Sequence, residues 1–401
     1  MLSVAVAGCG PAGLATALLL HRDGHRVTLY DRFDRPGPVG SGLMLQPTGL
    51  AVLARLGLGE SAVAQGARVG RLLGIAAGSG RAVLDVSYRA LRRPGLFGVG
   101  IHRANLFALL HDAVQAEGIA VEAGRAVAGS ALTGSGRTLA FANGTQSPHF
   151  DLVVDALGAH SPLADQVHTP LAYGALWASV PWPDSSGLKR DTLEQRYRAA
   201  SRMMGVLPLG TPPGTAGPHA ALFWSIRADA VQRWRERGIG AWKMEALALW
   251  PEAAPLLVSL ADSAPFVFAR YAHRTVRRPA AERLLRLGDA WHSTSPQLGQ
   301  GANMALLDAW ALASALRTNA DLADVLASTV ALRRGHIRLY QAMSRWLTPV
   351  YQSDRRVVPW LRDRLVGPLS KRGPIQHLQA AMVSGLIGNP LRRLGLDYPS
   401  L

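Results

Sequence analysis

Leu2-Ser3-Val4-Ala5-Val6-Ala7-Gly8-Cys9-Gly10-Pro11-Ala12-Gly13-Leu14 is the stretch that decides the fold. Leu2–Ala7 reads as a buried strand, and Gly-x-Gly-x-x-Gly follows it at once. From Leu14 to Arg22 the chain is apolar on most faces, as in a helix packed under a sheet. Gly24 ends that helix, and Arg26–Tyr30 reads as a second strand. A glycine triplet alone is a weak signal. Here it stands between a strand and a helix, and the acid Asp31 closes the second strand 23 positions after Gly8. That setting is the one a dinucleotide-binding turn requires. Gly8 permits the tight turn, Gly10 lets backbone amides approach a pyrophosphate, and Gly13 lets the helix lie close to the sheet. Pro11 and Ala12 belong to the same segment, at a helix N-terminus whose N–H groups favour phosphate. Asp31 is placed to accept hydrogen bonds from ribose hydroxyls.

Working outward, Asn105–Glu117 reads as a helix, Ile119–Val121 as a strand after Gly118, and Phe150–Ala156 as a buried strand. The character then changes. Short β-like runs at Leu176–Val180, Met203–Leu209, Ala221–Ile226 and Phe266–Tyr271 are separated by Pro/Gly-rich links such as Gly210–Pro218. The chain returns with a strand at Arg283–Leu287 and a helix from about Gly301 to Leu316, and the C-terminal part is mostly helical. The expected fold is α/β. A Rossmann-type nucleotide-binding domain is formed by residues 1–169 and 276–340, a mixed-sheet substrate domain by 170–275, and a helical C-terminal region by 341–401.

The first turn does not separate NAD from FAD; a second segment does. Gly288-Asp289 follows the returning strand, and Pro296-Gln297-Leu298-Gly299-Gln300-Gly301-Ala302-Asn303 opens the next helix. Two glycines at this spacing expose backbone N–H groups at a helix N-terminus, which suits the negative charge that develops on the N1/O2 edge of a reduced flavin. Asp289 is placed to bind ribityl hydroxyls.

Gly288-Asp289-Ala290 followed by Pro296-x-x-Gly299-x-Gly301 resembles the second FAD motif of the class A flavoprotein monooxygenases. This is the superfamily of para-hydroxybenzoate hydroxylase and the ubiquinone-biosynthesis hydroxylases. Asp31-Arg32 resembles that family's acid–Arg pair after the second strand. Gln46-Pro47 with Leu53 and Leu56-Gly57-Leu58 resembles the segment that follows. His102-Arg103-Ala104-Asn105-Leu106 resembles the family's Arg-x-x-Leu helix start. The resemblance covers about residues 1–350 and implies bound FAD. Its implied contacts include Arg32, Arg103, Asp289, Pro296, Gly299, Gln300, Gly301, Ala302 and Asn303, beside the residues of the first turn.

The chain also departs from the family. Where the family carries Gly-Ala-Asp-Gly-x-x-Ser-x-x-Arg, this sequence has Asp155-Ala156-Leu157-Gly158-Ala159-His160-Ser161-Pro162-Leu163-Ala164. Leu157 stands at the Asp position and Ala164 at the Arg position. Since the family motif is associated with NAD(P)H as well as FAD, the departure touches the transient reductant more than the flavin. Either another arginine binds NAD(P)H or a separate reductase supplies electrons.

The resemblance implies that reduced flavin reacts with O2 to give a C4a-hydroperoxide, which delivers one oxygen atom to a small aromatic or apolar metabolite. The cofactor carries the difficult chemistry, which fits the absence of a catalytic triad, of H-E-x-x-H and of Cys/His metal-ligand spacing. His292, near Asp289, reads either as a proton relay or substrate contact or as a structural histidine. Met204, Phe223, Trp224, Tyr271 and Trp291 are candidate pocket residues or ordinary core. A halogenase is disfavoured, because Trp-x-Trp-x-Ile-Pro is absent and no lysine precedes Lys189. Two other readings share the FAD motifs: an FAD-dependent oxidase or dehydrogenase that forms no productive hydroperoxide, and a non-catalytic flavin-binding protein.

The 401 residues suffice for two sub-domains with a continuous core. The formal charge of +16 is carried almost wholly by arginines that are scattered, with no basic run and no aromatic interleaving, so no nucleic-acid partner is expected. A single cysteine, Cys9, allows no intramolecular disulfide and fits a reducing compartment. With no secretory pattern and no apolar run of about 18 residues, the expectation is a cytoplasmic protein without a transmembrane segment.

Overall fold

In the computed structural model, which describes residues 1–34, 42–164, 169–260, 266–366 and 373–401, the first sheet is built around the N-terminal strand. Strand β1 (Ser3–Ala7) lies between β2 (Arg26–Tyr30) and β11 (Leu152–Asp155). The sheet extends through β8 (Ala120–Glu122) on one side and β18 (Leu284–Arg286) and β17 (Ala280–Ala281) on the other. All pairings are parallel except β17–β18. Val4, Ala5, Val6 and Ala7 are fully buried, as expected of a central strand covered on both faces.

Helix α1 (Pro11–Arg22) returns the chain from β1 to β2, then α2 (Pro47–Arg55), α3 (Gly59–Gln65) and α4 (Arg103–Ala116) follow. The long helices α8 (Gly301–Thr318) and α9 (Leu322–Tyr351) complete this half. Helix α1 is buried at every residue from Ala12 to Leu20, because the sheet, α4 and α8 surround it. A small sheet, β3 (Gly42–Leu45), β7 (Gly98–His102) and β4 (Ala67–Val69), joins this half to the next.

The second sheet has seven strands in the order β16-β12-β15-β14-β13-β5-β6. Its members are β5 (Arg71–Ala76), β6 (Ala82–Ser87), β12 (Thr169–Pro181), β13 (Thr192–Arg198), β14 (Arg202–Gly210), β15 (His219–Arg227) and β16 (Val267–His273). The single parallel pairing, β13 with β5, makes the sheet mixed. Segment 170–275 therefore does not form this sheet alone: β5 and β6 come from residues 71–87. A separate hairpin is made by β9 (Val127–Thr133) and β10 (Gly136–Phe141).

Helices α5 (Val231–Leu249), interrupted at Gly238, and α6 (Ala254–Val258) cover the outer face of the second sheet. Met204, Trp224, Trp242 and Trp250 pack between them. The short α7 (Asp289–His292) precedes α8. After α9 come α10 (Val357–Leu361), α11 (Gly373–Val383) and α12 (Pro390–Arg393). Helix α9 runs unbroken from Leu322 to Tyr351, so the boundary expected at 340/341 falls inside one helix. Nothing between those two residues removes a backbone donor; Pro349 stands only in the last turn.

Candidate active site

Between the two sheets lies one cavity of about 990 Å³. Gly10–Ala12, Arg103, Asp289 and Pro296–Ala302 line one part of it, and the inner face of the second sheet lines another.

The three glycines of the first turn answer to different neighbours. Gly8 has φ +106°, and a Cβ there would stand 2.5 Å from the Ala156 carbonyl oxygen at the end of β11. A Cβ at Gly13 would stand 1.9 Å from the Gly8 carbonyl oxygen and 3.3 Å from Val6 Cγ1. Both positions are thus fixed by the fold. Gly10, the N-cap of α1, has nothing within 4 Å of a built Cβ: it faces the cavity. Gly301, at the start of α8, is equally open. Helices α1 and α8 both begin here without a side-chain cap, so their first N–H groups are left for a ligand. Cradles that side chains would fill, at two uncapped helix starts, with Asp289 between them, fit a dinucleotide as long as FAD.

Asp31 Oδ2 accepts a hydrogen bond from Cys9 N at 2.8 Å, and its Oδ1 accepts from Phe33 N at 3.2 Å. The carboxylate therefore shapes the glycine turn. Arg32 is exposed, stacks over the Phe33 ring at 4.8 Å and is absent from the cavity wall. Burial, with Asp31 adding to it, pushes the Cys9 thiol up to about 12, so it is not a ready nucleophile for a covalent flavin link. Arg103 opens α4 at the cavity, behind a cap in which His102 Nδ1 accepts from Ala104 N at 3.1 Å.

In the second segment, Gly288 (φ +57°) turns the chain so that Asp289 reaches the cavity wall, and Gly299 (φ +62°) turns it into α8. Asn303 is fully buried, and its side chain clamps the loop. Its Oδ1 accepts from Gln46 N at 2.7 Å, and its Nδ2 donates to the carbonyls of Met44 and Gly299 at 3.0 Å each. Gln300 Nε2 donates to the Val383 carbonyl at 2.6 Å, tying this loop to the end of α11.

His292 is structural. Its Nε2 lies 2.6 Å from Asp308 Oδ2, both residues are buried, and the same carboxylate accepts from Gly288 N at 2.9 Å. Arg333 Nε donates to Asp308 Oδ1 at 2.7 Å, Arg333 Nη1 lies 3.1 Å from His336 Nδ1, and His336 Nε2 lies 3.0 Å from the Gly385 carbonyl. Burial alone would raise the Asp308 carboxyl, but the facing His292 and Arg333 outweigh it and hold it at about 2.

Strand parity sorts the remaining candidates. Met203 and Phe223 face the cavity, so Met204 and Trp224 face α5 on the other side. Tyr271 faces the cavity and accepts from Trp177 Nε1 at 3.1 Å; burial pushes its hydroxyl up to about 12. Trp291 is buried in the core of the first half. Strand β13 contributes Leu193, Gln195 and Tyr197 to the cavity, and α11 contributes Gln379 and Met382. Neither strand nor helix carried a strong signal. The TLEQRYR stretch of β13 alternates, but polar residues hide the alternation.

The expected loss of charge at 157 and 164 is offset locally. Asp155 Oδ2 accepts from the Ser161 hydroxyl at 2.7 Å, and its Oδ1 accepts from Leu157 N at 3.1 Å. Arg286 Nε donates to the Leu163 carbonyl at 3.0 Å. Asp155, Ser161 and Arg286 hold this loop in place.

The FAD binding domain family matches residues 1–327. The 3-amino-4-hydroxybenzoate 2-monooxygenase of Streptomyces cremeus is 30% identical over 335 residues, 78% of either chain. The aurachin C monooxygenase/isomerase of Stigmatella aurantiaca is 26% identical over 92% of this chain and 94% of its own. The crystal structure of Klebsiella pneumoniae HpxO complexed with FAD and uric acid superposes with TM-score 0.80 at 19% identity, covering 96% of this chain and 97% of that one. That likeness carries the fold; the family match and the relatives carry the class. This chain belongs to the class A FAD-dependent flavoprotein monooxygenases.

Proposed function

We propose that this enzyme inserts one oxygen atom from O2 into a small, neutral, largely apolar aromatic metabolite. The observation that carries this reading is the inner face of the second sheet. Trp177 stacks on Phe223 at 4.7 Å between centroids, and Leu193, Met203 and Leu207 surround them. On β13 and β14 the arginines face away: Arg196 lies over Trp250, and Arg202 pairs with Glu245 of α5. On β16 Ala269 and Tyr271 share the inward parity, and Arg270 between them, an exposed residue, also lines the cavity.

Two polar groups give this wall an orientation. Gln379 Oε1 is buried without a hydrogen-bond partner among the described residues. The Gln195 amide nitrogen meets Met203 Sδ at 3.9 Å and no other acceptor among the described residues. An unpaired acceptor in such a place favours a substrate that brings a hydroxyl or N–H group.

Bound FAD supplies the activation of O2. Gly10–Ala12, Arg103 and Asp289 would hold its length, and the uncapped start of α8 at Gly301 and Ala302 would offer backbone N–H groups to its reacting end. Trp177, Phe223 and Tyr271 exclude water and stack the substrate. Leu157 packs with the apolar cluster of Phe150 and Leu163 and brings no charge to a nicotinamide nucleotide. Direct reduction by NAD(P)H is therefore proposed to be slow, with a separate reductase supplying electrons.

Perturbation of the flavin absorption spectrum tests the substrate class. Neutral bicyclic aromatics bearing a hydroxyl or N–H group should bind at least about tenfold more tightly than carboxylated analogues of equal size, and Gln379→Leu should cost neutral ligands about tenfold. Preferential binding of the carboxylates would overturn the reading.

A further inference from the structure

We propose that this enzyme docks on an anionic lipid bilayer through the outer face of its C-terminal helices. Helix α10 and the π turn that continues it, Arg362–Val366, are amphipathic with the usual sense inverted. Val357, Trp360, Leu361, Arg364 and Leu365 stand at the offsets of one helical face, and that face is exposed. Trp360 is 54% exposed and Val357 68%.

The inward face carries Pro359 and a guanidinium. Arg362 is 2% exposed; its Nη1 donates to the Val350 carbonyl at 3.0 Å and its Nη2 to the Ala199 carbonyl at 2.9 Å. The guanidinium also lies over Tyr197 at 4.9 Å. Arg362 thus fixes the helix with its apolar side out.

Neighbouring helices extend the patch. Helix α9, which packs on α10, adds Trp346 at 77% exposure, and α11, which packs on β6 as the π turn does, presents Leu378 at 58%. The other exposed large apolar side chains among the described residues are spread from Met1 to Val267. An apolar patch of this kind needs an occupant, and its border states which. Arg345, Arg355, Arg356 and Arg364 are exposed around it, while the acids beside them, Asp354 and Asp363, are paired with Arg227 and Arg362. Arg364 lies 3.9 Å over the Trp360 ring.

Tryptophans and leucines ringed by arginines match the interface of an anionic membrane, where the rings sit at headgroup depth and the cations meet lipid phosphates. Two copies of this chain would set arginine against arginine, on molecules of formal charge +16 each. The same helices wall the cavity on their inner sides, through Leu347 and Val350 of α9 and Met382 of α11. A substrate that partitions into lipid would meet the enzyme on the face nearest its cavity.

Sedimentation of the FAD-loaded full chain with vesicles tests this. Vesicles with about 30% phosphatidylglycerol in phosphatidylcholine should bind the protein, and pure phosphatidylcholine should bind it at least about tenfold more weakly. The Trp346→Ser/Trp360→Ser variant should lose at least about tenfold in partitioning, and so should Arg355→Gln/Arg356→Gln/Arg364→Gln, with FAD content unchanged in both. Absence of binding to anionic vesicles would overturn the proposal. Unchanged binding of the tryptophan variant would reduce the effect to adsorption by net charge and would overturn it too. A dimer in sedimentation velocity that the tryptophan variant dissolves would give the face to a second copy instead.

Discussion

Gly8, Gly10 and Gly13 look alike in a motif, yet they carry different loads. Gly13 meets the Gly8 carbonyl, whereas Gly10 meets nothing from the protein. Gly13→Ala should therefore destabilise the chain by about 3 kcal/mol even without FAD, since neither backbone atom can yield. Gly10→Val should leave the flavin-free melting temperature within a few degrees and weaken FAD binding by about a hundredfold, through two or more lost phosphate hydrogen bonds. Thermal melts and flavin titrations of both variants separate the two roles; equal loss of stability would contradict the assignment. At this scale the sequence was legible wherever backbone geometry sets the residue. The motif does not show that the Asn303 side chain clamps Gln46 to Gly299, or that Arg32 stacks on Phe33.

Among the elements, α7, α8, α9 and the end of α11 are joined by one buried polar chain from Gly288 through Asp308 and Arg333 to His336 and Gly385. No motif announced it, because Asp308 and Arg333 read as surface residues of helices until the helices are packed together. The chain has a consequence for acid stability. Burial first, and the Arg333 charge second, push the His336 imidazole down from 6.5 to about 3. The unfolded chain therefore binds one more proton than the folded chain between these values. Stability should decline as the pH falls from about 6.5 toward 3, by at most about 1.4 kcal/mol per pH unit from this group. Asp308 acts lower: its contribution is present above about pH 4 and is lost as the pH falls to about 2. In denaturant titrations at several pH values, His336→Gln should flatten the upper part of the decline and leave the part below about pH 3. An unchanged slope between pH 6 and pH 4 would show that His336 is not the group. Elements were legible where apolar periodicity is strong, as in β1, α1 and α8. The strands β5, β6 and β13 and the helix α5 were missed: polar residues hide the alternation of β13, and the β5–β6 hairpin joins the second sheet only through the distant pairing of β5 with β13.

For the whole molecule, both FAD segments come together at one cavity although nearly 300 residues separate them, from Gly10 to Gly301. The resemblance drew that pairing from the sequence; the orientation of the substrate wall came only with strand parity. The supply of electrons is a property of this scale, since one dinucleotide turn serves the chain. Stopped-flow mixing with NADH or NADPH should bleach the bound flavin slowly with every aromatic ligand that binds, while chemically reduced enzyme turns over normally. Rapid, saturable bleaching by either nucleotide in the presence of substrate would contradict the separate-reductase proposal and leave the rest standing.

Oxygen insertion itself is tested most directly with heavy-isotope O2. The FAD-loaded enzyme, reduced chemically and given each ligand that perturbs its flavin spectrum, is reoxidised under labelled gas, and the products are weighed by mass spectrometry. The geometry of the cavity and the class of the chain predict a product that carries one labelled oxygen atom from the gas. Products without label, with all the consumed O2 recovered as hydrogen peroxide, would identify an oxidase and contradict the account.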